Sequence, residues 1–315
     1  MESSMFRGME YVYEVYREKS FSKAARNLYI SQPALSAAVR RVEEELNSPI
    51  FDRSRNPVGL TECGEHYIVA VEKIMEVQNN FKNYMADFQQ LKTGNLAVGG
   101  SNLFSSYVLP PLMAEFTKRY PKIRIHLLEE NSENLRQRLL EGHLDLVIDN
   151  YDYGEQILSR QLYSREHLLL AVPRGFSANR GKDAWQISAE QIKDGTFLQE
   201  AIAPVDLKWF EKEPFIFLKA NNDTNVRAWK LCQHAGVRPD VLLQLDQQMT
   251  SYNVTCSGMG ISFISDTLVR CVQPHPDVIF YKLTGEETER SVHFYWKKGK
   301  YMTYAMKAFL QMIIE

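Results

Sequence analysis

Through the N-terminal part of the chain apolar side chains recur every three or four residues; further on they gather into short runs separated by polar stretches. The first pattern predicts helices and the second predicts buried strands alternating with helices. Met5, Met9, Val12, Tyr13 and Tyr16 place a helix over residues 5–19. Ala24 and Ala25 belong to a second, short helix over residues 23–28, with Ser20 or Ser22 as its cap. Tyr29 and Ile30 make a turn. Ser31 then caps a third helix, with Pro33 in its first turn, where a missing N–H costs nothing. That helix runs to about Leu46, with Leu35, Val39, Val42 and Leu46 on its inner face. Residues 50–53 and 58–60 read as two short strands around a tip at residues 54–57.

Residues 61–91 form one long helix in which Tyr67, Val71, Ile74, Gln78, Phe81, Met85 and Phe88 step by four and three. A seam with that spacing needs a partner helix, most simply that of a second copy. Val71, Ile74, Phe81, Met85 and Phe88 are therefore the candidate dimerisation residues. From Leu96 the chain alternates strand and helix twice over, which predicts mainly parallel sheets covered by helices. Two α/β lobes follow, with the chain crossing between them near Tyr163 and again near Ser265. The expected organisation is a winged helix-turn-helix over residues 1–61, a linker helix over 62–92 and a two-lobed domain over 93–315. Its first lobe takes residues 93–163 and 266–315, its second 164–265. Residues 195–213 look like an insertion, either a lid or a surface loop.

Composition adds limits. The 315 residues are 44% hydrophobic and 24% charged, with a formal net charge of −2, so any positive surface must be local. No apolar run approaches the roughly 20 residues that span a bilayer, and there is no leader pattern, so a cytoplasmic location and no membrane partner are expected. Cys63, Cys232, Cys256 and Cys271 lie far apart and read as packing thiols, with no zinc or dithiol spacing. No nucleophile elbow, phosphate loop or metal-ligand motif is present, and none of the seven histidines sits in an acid–base spacing. No catalytic residue, metal or cofactor is expected.

A helix that enters the major groove reads base edges with its first turns. Here those positions are Gln32, Pro33, Ser36 and Ala37. Gln32 can pair with adenine, Pro33 and Ala37 can touch a thymine methyl group, and Ser36 can bond a base or a phosphate. Arg40 and Arg41 lie a turn further on, Arg53 and Arg55 on the hairpin, and Ser22 and Ser31 at the two helix starts. Between residues 23 and 55, six basic side chains face four acidic ones, and three of the acids cluster at the far end of the third helix.

FSKAARNLYISQPALS, the EEELNSPIFDR element and LTECG together resemble the DNA-binding domain of LysR-type transcriptional regulators. GNLAVGGSNLFSSYVLPPLMAEFTKRYP, GHLDLVI and CSGMGISFIS resemble the effector-binding domain of the same family. The resemblance spans essentially the whole chain. It implies a homodimer, often a homotetramer, on an inverted-repeat site in double-stranded DNA. It also implies a small-molecule effector, with RNA polymerase as a further candidate partner. The expected fold class is α/β: a winged helix-turn-helix and linker helix, then two Rossmann-like subdomains of the periplasmic-binding-protein type. Two departures stand out. Ala37 replaces a residue often polar or basic, and Cys63 stands where alanine is common.

Two such lobes form a cleft bounded by strand ends and helix starts. Gly100, Ser101, Asn102 and Leu103 make the first such loop, and Asp149 ends a strand nearby. Asn222, Asp223 and Thr224 open a helix in the other lobe. By resemblance the Ser101-Asn102 and Asn222–Thr224 loops line the effector cavity. An acid at Asp223 disfavours a simple dicarboxylate and tolerates an amine. The alternative function, a cytosolic solute-binding protein without a DNA-directed role, fits the two lobes and leaves the N-terminal region unexplained.

Overall fold

The computed structural model describes residues 5–88, 94–220 and 222–314, without the side chains of residues 83 and 86–88. The chain divides into two compact units, Met1–Met85 and Ala86–Glu315.

The first unit holds α1 (Met9–Glu18), α2 (Phe21–Asn27) and α3 (Gln32–Leu46), then a ribbon of β1 (Phe51–Asp52) and β2 (Gly59–Leu60), and α4 (Glu62–Phe88). Ser20, not Ser22, caps α2 by accepting from the Lys23 N–H. Ala24 and Ala25 are buried, and their small side chains let α1 and α3 close on α2. The Ser31 hydroxyl accepts from the Ala34 N–H, satisfying one of the free donors at the start of α3. Val12, Val15, Leu35, Val39, Val42 and Ile50 form the centre of the core.

Glu43 ties α3 to the ribbon. One oxygen accepts from the Ile50 and Phe51 N–H groups at 2.9 and 3.2 Å, and the other from Arg53 at 2.8 Å. Thr61 bonds the Pro49 carbonyl at 2.6 Å and accepts from the Gly64 N–H, which sets the start of α4. A Cβ at Gly64 would run into the Ile50 carbonyl oxygen, so this close approach requires glycine.

The structure corrects the expected seam on α4. Tyr67 and Val71 are buried in the first unit's own core, so Val71 has no surface to offer a partner. Ile74 is half-buried. Val77, Phe81, Tyr84 and Met85 are exposed, Val77 by 68% and Phe81 by 64%. The uncovered stripe thus starts later than expected and passes through Val77 rather than Gln78. Phe88 ends α4, and its side chain lies outside the described residues.

The second unit contains β3 (Gly94–Gly100), α5 (Leu109–Arg119), β4 (Ile123–Glu129), α6 (Ser132–Leu140), β5 (Leu146–Asp149) and the long β6 (Leu158–Pro173). There follow β7 (Gln186–Ile187), α7 (Ala189–Asp194), β8 (Pro214–Leu218), α8 (Asp223–His234), β9 (Asp240–Leu245) and α9 (Gln248–Cys256). The last elements are β10 (Ile261–Ser265), α10 (Asp266–Cys271), β11 (Val278–Lys282), β12 (Glu289–Lys297) and α11 (Tyr304–Met312).

The strands run in the order β4-β3-β5-β12-β6-β10-β8-β9, with β11 on β6 and β7 on β11. In the first lobe β3 pairs in parallel with β4 and β5. In the second β8 pairs in parallel with β9 and β10. The N-terminal part of β6 pairs with β12, and residues from Leu168 onward pair with β10 and β11. One strand therefore passes through both lobes. Its stretch Leu168–Val172 is almost wholly buried, since both faces are covered.

The return crossing differs from the expectation at Ser265. α10 packs beside α7 and β6, and β11 pairs with β6 and β7, so both stay with the second lobe. The chain returns on β12. Apolar strand runs look alike in either lobe, and nothing local marks which sheet FYKL joins. Residues 195–213 run over the surface as a loop with short helical turns, anchored from beneath. Phe197, Val205, Leu207 and Phe210 are buried, and the Val205 N–H donates to the Lys282 carbonyl at 2.9 Å.

Candidate nucleic-acid interface and ligand cleft

Leu35, Val39 and Val42 turn one face of α3 into the core, which leaves Gln32, Pro33, Ala37, Arg40 and Arg41 exposed and Ser36 half-buried. Ser31 stands at the cap, also exposed. The Ser22 hydroxyl donates to the Gln32 side-chain oxygen at 2.9 Å, so the first turn of α2 orients the first residue of α3. The Gln32 amide N–H₂ stays available as a donor, and its oxygen keeps a second lone pair.

The basic residues sort into two groups. Arg40 pairs with Glu44 at 3.0 Å, Arg53 with Glu43 at 2.8 Å and Arg55 with Asp52 at 2.8 Å. Arg53 also lies 5.0 Å from the centre of the Phe21 ring. Among the described residues Lys23, Arg26 and Arg41 have no acidic partner within ion-pair distance. Exposed pairs such as Arg40–Glu44 are worth only about 0–1 kcal/mol and exchange readily for a phosphate. Counting acids in the sequence treated Glu43 as a dilution of positive charge. It is instead the brace that positions the ribbon, a role visible only once Ile50 and Phe51 turn back on α3.

In the second unit a cavity of about 60 Å³ opens where the two lobes meet. Ser101, Asn102, Leu103, Ser132 and Asp149 line it from the first lobe; Asn222, Asp223, Thr224, Gln247 and Gln248 line it from the second. Seven of the eight residues expected there are thus brought together: Ser101, Asn102, Leu103, Asp149, Asn222, Asp223 and Thr224. Gly100 is the exception. It packs under the lobe, where a Cβ would press on Ile148, Leu109 and Phe104, and its carbonyl accepts from the Ser105 hydroxyl at 2.8 Å.

Arg290 of β12 is the lining residue that sequence reading missed. It is 5% exposed. Its guanidinium donates to Glu166 at 2.5 Å, to Asp223 at 2.8 Å and to the Thr224 hydroxyl at 3.0 Å. Burial works against its charge, but Glu166 and Asp223 outweigh that and hold its pKa above the ordinary arginine value. Glu166 faces Arg290 across the β6–β12 ladder and also accepts from the Asn150 amide at 2.7 Å. Arg227 supports Asp223 from one turn along α8 at 2.7 Å. No signal in VHFYWKK or its flanks points to a buried arginine, because Arg290 and Glu166 meet only through strand pairing 124 residues apart.

Asp149 is 1% exposed. It accepts from Tyr153 at 2.6 Å and from the Asn150 and Tyr151 N–H groups at 2.8 and 3.1 Å. Burial nevertheless pushes its carboxyl above the ordinary aspartate range. Two helices begin at the cavity with side-chain caps of different quality. Asn222 caps α8 through the Thr224 N–H, while Gln247 makes no side-chain cap on α9.

The bacterial regulatory helix-turn-helix protein family of lysR type matches residues 6–65, and the LysR substrate binding domain family matches residues 89–315. The chain belongs to the LysR family. Among LysR-type relatives, an uncharacterized HTH-type transcriptional regulator of Bacillus subtilis, YcgK, is 26% identical over 96% of this chain and 92% of its own. A probable RuBisCO transcriptional regulator of Cyanidium caldarium is 33% identical over 78% of this chain and 73% of its own. The crystal structure of full-length CbnR complexed with its target DNA is 18% identical, with a TM-score of 0.66 and 98% of each chain covered. The LysR-type architecture of winged helix-turn-helix and two-lobed α/β domain accounts for both units.

Burial pushes the Cys232 thiol up to about 12 and raises Cys256 and Cys271 as well, the reverse of what a reactive thiolate needs. Among the described residues no three His, Cys, Asp or Glu side chains are grouped to hold a metal ion, and no helix is long and apolar enough to cross a membrane.

Proposed function

We propose that this LysR-family regulator binds an inverted-repeat DNA site as a dimer through the exposed first turns of α3, under control of a small polar effector held between the two lobes of its second unit. The carrying observation is the outward face of α3. Gln32 is oriented by Ser22, with Pro33, Ser36 and Ala37 beside it and Arg40, Arg41, Arg53 and Arg55 around it. Phosphate contacts fix position and base edges supply specificity, and this face carries both kinds of group. The target DNA bound by CbnR supports the same use of the same fold here. Val77, Phe81 and Met85 supply the apolar stripe for helix pairing.

The effector site is the cavity around Arg290. Its volume of about 60 Å³ is well above the roughly 10–15 Å³ that a single water needs. That size suits a small polar molecule, hydrogen-bonded by Ser101, Asn102 and Thr224 of its lining.

Binding of the full-length protein to the DNA upstream of its own gene, titrated with salt and compared with random DNA, tests this reading. Selective binding whose log affinity falls steeply with log salt is expected. Equal affinity for both DNAs removes sequence-specific regulation as the function.

A further inference from the structure

Two helices of the first unit end in the same way. After α3, the Ser48 N–H bonds the Glu43 carbonyl and the Asn47 N–H bonds the Glu44 carbonyl. After α2, the Ile30 N–H bonds the Ala25 carbonyl and the Tyr29 N–H bonds the Arg26 carbonyl. Both ends require a left-handed residue, at φ 51° for Asn47 and φ 55° for Tyr29. Such ends take glycine or asparagine, and a bulky side chain there is strained. Tyr29 accepts that strain and obtains nothing for it within its own unit, since it is 96% exposed.

The surroundings say what an exposed ring at this place faces. On α2, Ser22 and Arg26 are one turn apart and share a face. Ser22 is the residue that holds Gln32, so this face borders the base-reading end of α3. Arg26 is exposed and has no acidic partner among the described residues, and Tyr29 stands three residues on, just past the end of α2, where its N–H bonds the Arg26 carbonyl. A cation and a phenol hydroxyl three residues apart on the exposed surface beside α3 are groups of the kind that bind DNA phosphates and sugars.

We infer that Arg26 and Tyr29 form a DNA-backbone contact flanking Gln32, and that the strained turn is retained for that contact. The inference rests on the DNA-binding reading above. The test substitutes Tyr29→Asn, which matches the relaxed end of α3, with Tyr29→Phe and Arg26→Gln beside it. Tyr29→Asn is expected to melt at or above the parent temperature while binding its operator about five- to tenfold more weakly, a loss in the range of one lost polar contact. Tyr29→Phe should keep part of that loss, through the hydroxyl alone. Arg26→Gln should lower the magnitude of the salt slope by about 1. Operator affinity unchanged in Tyr29→Asn, or an unchanged salt slope in Arg26→Gln, overturns the contact while parent binding stands. Absence of operator binding by the parent protein overturns the underlying reading instead.

Discussion

The face of α3 and the wall of the cleft are both polar, but they hold their polar groups in opposite ways. On α3 the side chains project into solvent and their pairings are exposed, as in Arg40–Glu44. In the cleft the charges are buried or half-buried and already paired: Arg290 with Glu166, Asp223 and Thr224, and Asp149 with Tyr153 and two N–H groups. The outward face is thus ready for a large charged partner that brings its own counter-charges. The cleft is a closed network that a ligand must enter and rearrange. Contacts on α3 should govern affinity and specificity with little effect on folding, whereas the cleft residues should govern stability as much as binding.

The largest effect should come from the cleft. Arg290→Ala leaves Glu166 buried without a cation, and removing one partner of a buried pair costs about 3–5 kcal/mol. Thermal unfolding should show this as a clearly lower midpoint; an unchanged midpoint would mean that the network contributes nothing. Next comes the stripe on α4. Phe81→Glu puts a charge on a 64% exposed aromatic and should weaken self-association. The loss of an aromatic anchor is worth about 2 kcal/mol or more, visible in sedimentation as a shift toward monomer. Sedimentation identical to the parent would exclude Phe81 from the interface.

Gln32→Ala should cost about 1–3 kcal/mol of discrimination between operator and mutated operator. Its melting midpoint should stay close to that of the parent, because the side chain is exposed. A drop in midpoint without loss of discrimination would reverse the contrast between the two regions.

The smallest effect is a pH dependence. Burial raises the Asp149 carboxyl above its ordinary value of 3.8, so the folded state binds that proton more tightly than the unfolded state. The resulting stabilisation is complete below 3.8 and is lost as pH rises through the native pKa. In melts across this window, Asp149→Asn should lack that decline. An identical pH profile in both proteins would argue that Asp149 titrates normally.

Much of the first unit was legible in the residue order. Caps at Ser31, the Pro33 start and the apolar step on α3 are local signals, and exposed positions follow directly from which face is buried. The seam on α4 was legible in period but not in partner. Val71 keeps the spacing of a dimer contact and yet packs on α1 to α3, because a helix cannot tell its own core from another chain's. Loops at strand ends also placed Ser101, Asp149 and Thr224 together, since parallel βαβ units bring such ends to one edge.

The order of residues by itself therefore determined the helices, the strand alternation, the exposed face of α3 and the membership of the cleft loops, all of which depend on neighbours within a few positions. Tertiary structure alone decided that Glu43 braces the ribbon, that β11 stays with the second lobe and that Arg290 joins Glu166 and Asp223. Those choices depend on which distant segments pair, and a buried charge is stable only where the fold delivers its counter-charge.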